Sequence, residues 1–354
     1  MLDAVLSIGG RAIGPGQPTF VIAEAGCNHE NDFDRACEMV LRAAEAGADV
    51  IKFQSFTPAT LVTRNAPKFW DIAGPGETQF AEFEAIRPTF TDAQYDTLVQ
   101  LAREHGILFA STPSDERWAD FLDELGMPLF KVASMDITHL PLIRHIARKG
   151  KPVILSTGAA YANEIAQAVD VIRKEGNDEI VLLHCVSTYP TPPAGANLGM
   201  MHDLRARFPG CVIGYSDHTV PGSRPSVPAI AVAAGANVIE KHFTFDQSRA
   251  GYDHEISADY TELRTLVQEF RFIESTLGRT EKAPTEAEKR TREWGRRSIV
   301  AAVDIPEGAI LTVEMLAIKR PGTGIEPRFL DQLPGRAVVR SITADEVFTW
   351  DMLR

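Results

Sequence analysis

Cysteine is scarce in this chain of 354 residues: Cys27, Cys37, Cys185 and Cys211 are the only four, and none forms a C-x-x-C pair. A chain this long can build its core without disulfide staples, so reduced thiols in a cytoplasmic protein are the expectation. No apolar run approaches the roughly 18 residues a membrane-spanning helix needs. The opening "MLDAVLSIGGRAIGPGQ" carries no basic segment leading into an apolar one, so the chain reads as neither secreted nor membrane-spanning. Positive charge is also short, since 36 Lys and Arg against 48 Asp and Glu leave a net charge of −12. That balance argues against nucleic acid or a membrane surface as partner, while leaving room for a local basic cluster around a small anion. Neither a Gly-rich phosphate loop nor a G-x-S-x-G elbow occurs, so no motif supports a P-loop or a Ser-His-Asp hydrolase.

What is present is a regular alternation. Eight short β-branched runs, "TFVIAEAG", "ADVIKFQ", "GILFAST", "PLFKVAS", "PVILSTG", "EIVLLHC", "CVIGYSD" and "ANVIEKHFT", are separated by amphipathic stretches, several closing on glycine. Strand and helix alternating eight times over about 260 residues is the pattern of a (β/α)8 TIM barrel, with a doubly wound open sheet as the competing arrangement. The long segment 55–90, with its prolines, glycines and aromatics, is expected to arch over the barrel mouth. The charge-rich stretch 279–297 reads as a linker with some helix. Beyond it, apolar runs punctuated by Pro-Glu-Gly and Pro-Gly turns predict a small β-rich domain. The expected division is a barrel over 1–282, a linker over 283–294 and a second domain over 295–354.

In such a barrel the chemistry sits at the C-terminal ends of the strands. Those ends carry Glu24, Lys52, Gln54, Ser111, Thr112, Lys131, Ser134, Ser156, Thr157, His184, Ser187, Ser216, Asp217, His218, Glu240 and His242. Lys52 and Lys131 stand in apolar strands, where an unpaired ammonium costs several kcal/mol. Each needs an anion, either Glu24, Glu240 or Asp136 within the barrel or a bound phosphate or carboxylate. The hydroxyls of three Ser-Thr pairs at 111–112, 156–157 and 187–188 suit the second. His218 and His242 end adjacent strands, so two imidazoles can share one divalent ion with Asp217 and Glu240 as supporting partners; a lone histidine there would be a hydrogen-bonded core residue. His184 beside Cys185 is either a third participant or a packed strand end.

Taken together, "FVIAEAGCNHENDFDRACEMVLRAAEAGADVIKFQ", "FASTPSD", "FKVASMDITHLPLI", "LLHCVSTYPTP", "IGYSDHT", "EKHFT" and "IKRPGTG" resemble the sialic acid synthase family, the phosphoenolpyruvate-dependent nonulosonate synthases. The resemblance spans nearly the whole chain and includes a C-terminal SAF (antifreeze-like) domain. It implies condensation of phosphoenolpyruvate with an open-chain N-acylated amino hexose to a nine-carbon 2-keto acid, with release of phosphate. By motif, it implies that Lys52, Thr112, Lys131, Ser134, Ser156, Ser187 and Ser216 hold phosphoenolpyruvate. His218 and His242 would bind Mn²⁺ or Mg²⁺, and Glu24, Gln54, Asp136, Tyr189 and Asp253 would face the sugar. Arg320 would reach the site from the partner subunit of a domain-swapped homodimer. Glu24, with His218 and His242, would form the catalytic group. "VASMD" and Ser187 differ from the neuraminate-type pattern, while "YDHEIS" does not. Legionaminate-type and neuraminate-type products therefore stand level, with a pseudaminate-type product third. Two other readings are weighed: condensation of phosphoenolpyruvate with a phosphorylated sugar, which would call for extra arginines, and a non-catalytic carbohydrate-binding protein.

Overall fold

The computed structural model describes residues 5–70, 74–279 and 281–354. The chain divides into two compact units, Met1–Gly278 and Arg279–Arg354. In the first unit, eight parallel strands form a nearly closed barrel of the TIM type: β1 (Phe20–Gly26), β2 (Val50–Ser55), β3 (Leu108–Pro113), β4 (Phe130–Val132), β5 (Val153–Ser156), β6 (Ile180–His184), β7 (Val212–Asp217) and β8 (Val238–His242). Hydrogen-bonded order runs β3-β2-β1-β8-β7-β6-β5-β4, and β3 and β4 lie side by side where the ring completes. The open-sheet alternative is thereby excluded. Almost every strand residue is buried, because helices cover one face and side chains fill the other.

The helices follow from capping and spacing. Helix Phe33–Ala46 starts where Asp32 accepts from the Arg35 N–H and ends at Gly47, whose φ of 90° few other residues adopt. Its buried Ala36, Met39, Val40 and Ala43 follow the i, i+3, i+4, i+7 stripe. A short hairpin pairs Leu6–Ile8 with Arg11–Ile13 at the N-terminal end of the strands, burying Ile8 and Ile13. Arg11 fixes it there through Asp49, which also accepts from the Val21 N–H. The opposite end is left for the site.

The second unit pairs Ser298–Ala301 antiparallel with Leu316–Lys319, supplemented by isolated bridges. Its own core gathers Ile299, Ile305, Leu311, Ile325, Leu333, Val338 and Phe348. Two short helical turns, Glu286–Glu288 and Thr291–Gly295, occupy the expected linker 283–294, the second running one residue beyond it.

Gly214 in β7 has no room for a side chain: a Cβ there would stand 2.4 Å from the Val238 carbonyl oxygen and 2.6 Å from Leu183 Cδ2. Backbone cannot yield as a side chain can, so Gly214→Ala is expected to destabilise the fold by about 2 kcal/mol or more, read as a lowered thermal midpoint.

Candidate active site

Period-two alternation sorts the polar strand ends. Lys52 and Gln54, Ser216 and His218, and Glu240 and His242 are each two residues apart and all line one cavity of about 310 Å³ at the C-terminal mouth. Register then sets them level: Glu24 pairs with Lys52 on one side and His242 on the other, and Ser216 pairs with Glu240. Thr112, Lys131, Ser134, Ser156, Ser187, Asp136, Tyr189 and Asp253 complete the expected set lining the same cavity. Arg320 lies in the second unit, just beyond strand Leu316–Lys319.

Alternation also removes residues. Of the three Ser-Thr pairs, only Thr112, Ser156 and Ser187 line the cavity. Ser111 bonds Ser55 at 2.7 Å, and Thr157 donates to the Leu183 carbonyl at 2.9 Å. His184 is the packed strand end: its Nε2 bonds the Ala196 carbonyl at 2.7 Å and its ring stacks on Tyr215. Asp217, expected beside the imidazoles, instead accepts from Lys241 at 2.6 Å, from Tyr215 at 2.9 Å and from Thr219 at 3.0 Å. Both Asp217 and Lys241 are odd-numbered neighbours of the even-numbered cavity residues, so they turn outward together.

Four buried charges form the centre. Lys52 pairs with Glu24 and lies 3.5 Å from Glu240, while Lys131 donates to Glu240 at 3.1 Å. The two lysines are therefore paired within the barrel, and both still line the cavity. Ser216 donates to the same Glu240 oxygen at 3.0 Å, Gln54 donates to Glu24 at 3.1 Å, and Lys52 donates to Thr112 at 3.2 Å. The two carboxyls diverge. Burial raises the Glu24 pKa, reinforced by the nearby Glu240 charge and only partly offset by Lys52. Burial acts the same way on Glu240, but Lys131, Lys52 and His242 outweigh it and hold that carboxyl well below the usual range. Glu240 is thus a fixed counter-ion, and Glu24 is the carboxyl that takes up a proton more readily than an ordinary one. With Glu24 protonated, the cluster carries one surplus positive charge.

The imidazoles are 5.5 Å apart, ring centre to ring centre. His218 Nδ1 lies 2.7 Å from the Val186 carbonyl oxygen, which must accept, so Nδ1 carries the proton and the Nε2 lone pair meets Tyr189 OH at 3.2 Å. Burial and the neighbouring His242 push the His218 pKa down to about 4. His242 Nδ1 is buried without a hydrogen-bond partner, 3.3 Å from Asp253 Oδ2. Asp253 is held by Asn28, whose Oδ1 accepts its N–H at 3.1 Å and whose Nδ2 donates to the Phe243 carbonyl at 2.9 Å and to Ser257 at 3.0 Å. The "CNHE" stretch thereby positions Asp253 beside the imidazole pair. Gly26, at a register shift in β1 with φ 51°, lets Gln54, Glu24 and Asp253 converge within 3.7 Å of where its Cβ would stand.

Some members escaped the sequence reading. Gly158 is required because a Cβ would meet Ser187 Oγ at 2.2 Å, Ser134 Oγ at 2.9 Å and Cys185 Sγ at 3.0 Å; its N–H donates to Ser134 at 3.0 Å. The Ser187 hydroxyl is buried and unpartnered, so this corner is a cradle of donors short of one acceptor. The "STG" tripeptide was the available signal. Segment 55–90, expected over the mouth, contributes Phe56, Leu61, Phe69, Trp70, Glu82, Phe83 and Ile86 to the lining of the same cavity; residues 71–73 lie outside the described residues.

Comparison with known proteins fits this geometry. The NeuB family model matches residues 39–282 and the SAF domain model matches residues 296–354. The chain belongs to the NeuB family. It is 39% identical to the N,N'-diacetyllegionaminic acid synthase of Legionella pneumophila, over 96% of this chain and 95% of that one. It is 34% identical to the N-acetylneuraminate-9-phosphate synthase of Homo sapiens, over 97% and 95% of the two chains. A crystal structure of an N-acetylneuraminic acid synthetase from Leptospira borgpetersenii, in complex with citrate, superposes with a TM-score of 0.73 at 35% identity, covering 81% of this chain and 95% of that one. NeuB-family relatives are thus nonulosonate synthases of more than one kind. No helix among the described residues is long and apolar enough to cross a membrane.

Beside the site, His29 tests the burial of the loop. Burial lowers its pKa to about 4, against smaller opposing effects of Glu30 and Asp32. The imidazole lies among Phe53 and Phe90 with Nε2 unpartnered. A depressed folded-state pKa means the neutral ring stabilises the fold above pH 6.5 and that this stability is lost as pH falls from 6.5 through about 4. Chemical denaturation across that window should show the loss, and His29→Phe should flatten it.

Proposed function

We propose that the protein condenses phosphoenolpyruvate with an open-chain N-acylated amino hexose to give a nine-carbon 2-keto acid and phosphate. The observation that carries this reading is one cavity holding Lys52 and Lys131 beside His218 and His242, with a protonatable Glu24 level with both groups. Lys131, Ser134, Ser156, Ser187, Ser216 and the Gly158 corner take the phosphate, while Lys52 and Thr112 take the carboxylate, because ammonium and hydroxyl donors are what such oxygens require. An arriving anion competes with Glu24 and Glu240 for the two ammonium groups, and protonation of Glu24 favours the exchange.

His218 and His242 fit a divalent ion: one imidazole offers a lone pair fixed by the Val186 carbonyl, and the other has a buried nitrogen without a hydrogen bond. Among the described residues no group of three or more His, Cys, Asp or Glu side chains is arranged as a cage, which suits an ion sharing its coordination with water and substrate. Mn²⁺ or Mg²⁺ held there would polarise the sugar aldehyde. In the reaction, C3 of the enol phosphate bonds to the aldehyde carbon, the aldehyde oxygen gains a proton, water adds at C2, and phosphate leaves. Glu24 is placed to orient that water and move its proton. Gln54, Asp136, Tyr189 and Asp253 orient the sugar, with Arg320 reaching it from the partner subunit of a domain-swapped dimer. A phosphorylated sugar is the weaker reading, since no arginine is among the described residues lining the cavity.

Inorganic phosphate released from phosphoenolpyruvate should require N-acetylmannosamine or a 2,4-diacetamido-6-deoxy hexose. It should cease with a chelator and return with Mn²⁺. Release with a sugar phosphate alone would move the assignment to the first alternative, and no release with any sugar would leave only carbohydrate binding. Glu24→Gln should retain the fold and Mn²⁺ binding while kcat falls about 10²–10⁴-fold; wild-type turnover in that variant would remove Glu24 from the mechanism.

A further inference from the structure

Asp217 and Lys241 form a buried ion pair that the proposed reaction does not use. They pair in register where β7 meets β8, and both side chains turn outward from the cavity that holds His218 and His242. Burying two ions is costly unless their remaining hydrogen bonds are made, and here those bonds converge on one residue, the buried Thr219. Lys241 Nζ donates to Asp217 at 2.6 Å and to the Thr219 carbonyl at 2.6 Å. Asp217 accepts from the Thr219 hydroxyl at 3.0 Å and N–H at 3.3 Å, and from Tyr215 OH at 2.9 Å. Strand β7 ends at Asp217, so His218 stands one residue past its last ladder position, whereas His242 is still within β8 and level with Glu24. His218 is bonded toward the loop after β6: its carbonyl accepts from the Thr191 N–H at 2.9 Å and its ring meets the Val186 carbonyl. Lys241 supplies a tie in the other direction, joining the residue after His218 to the residue before His242.

We infer that Lys241, Asp217 and Thr219 form a latch on the outer face of the barrel that sets the spacing of the two imidazoles for a divalent ion, which makes Lys241 and Asp217 positioning residues. The inference rests on the reading of His218 and His242 as a metal pair. Two ligands on separate strands grip one ion well only when the protein holds them at the required spacing beforehand. Groups that orient metal ligands from behind are worth about 10–100-fold in metal affinity, which sets the size of the effect. An ammonium suits the task because a single Nζ reaches a carboxylate and a backbone carbonyl together. An uncharged side chain of similar length keeps the packing but leaves the Thr219 carbonyl without its link to β8.

The test is a Mn²⁺ titration of the metal-free full chain, followed by loss of the free-ion electron paramagnetic resonance signal, with phosphoenolpyruvate affinity measured on the same preparation by calorimetry without metal. Wild-type protein should bind Mn²⁺ and His218→Ala should lose that binding. Lys241→Met should raise the Mn²⁺ Kd about 10–100-fold while phosphoenolpyruvate affinity stays unchanged. The double variant Asp217→Asn/Lys241→Met removes both charges and so leaves no uncompensated buried ion; it should show the same loss, and it carries the measurement where Lys241→Met alone does not fold. Unchanged Mn²⁺ affinity in a folded variant overturns the latch and leaves the metal reading intact. A matching loss of phosphoenolpyruvate affinity, or failure of both variants to fold, marks a merely structural pair and also overturns it. Wild-type protein that binds no Mn²⁺, or binds it equally well as His218→Ala, overturns the latch and the metal reading together.

Discussion

Two lysines and two glutamates taken out of water at the mouth of one barrel constrain almost everything else in the site. An isolated buried ion is prohibitively costly, and a buried pair holds only when its geometry and remaining hydrogen bonds are nearly complete. The surroundings of Glu24, Lys52, Lys131 and Glu240 meet that demand from four separate strands, with Gln54, Thr112 and Ser216 supplying the extra bonds. A (β/α)8 barrel is suited to this, because its parallel register brings residues far apart in sequence level with one another around a shared axis. Register pairs Glu24 with both Lys52 and His242, so the ammonium side and the imidazole side of the cavity meet at one carboxyl.

Asymmetry between the two carboxyls gives the cluster its chemical direction. Glu240 is flanked by two ammonium groups and stays ionised, whereas Glu24 is raised by burial and the charge beside it. Glu240 therefore stays ionised between the two lysines, while Glu24, paired with Lys52, takes up a proton more readily, a division that identical side chains acquire only from their surroundings. The imidazole pair is prepared in a comparable way: a backbone carbonyl fixes the tautomer of His218, and a chain from Asn28 through Asp253 stands behind His242. These supports lie on loops rather than strands, and the Asn28 side chain ties two of them together.

Much of this was legible in advance. Eight β-branched runs with helices between them announced the barrel, and the polar residue closing each run marked the mouth, because strand burial leaves few other places for a lysine or a histidine. Of the expected residues in the first unit, every one assigned to ligand or metal lines the cavity. The errors have a single origin. Adjacent residues on a strand point to opposite faces, and reading Ser-Thr pairs or "SDH" as units ignored it. Ser111, Thr157 and Asp217 turn away for that reason, and the Lys241–Asp217 pair forms on the outer face. Gly158 and the aromatic lining from segment 55–90 were missed for another reason: a glycine's neighbours and a loop's inward face exist only once distant segments meet.

By itself, the sequence determined the strand–helix period, the chemical types at each strand end and the resemblance to the sialic acid synthase family, since these are local patterns carried by neighbouring residues. Only the tertiary structure decided which carboxyl pairs with which lysine, which of the two is raised by burial, and that apolar side chains of segment 55–90 line the same cavity as the charged strand ends. Those properties depend on distance and on the exclusion of water, and both arise when β1, β2, β4 and β8 close around the same cavity.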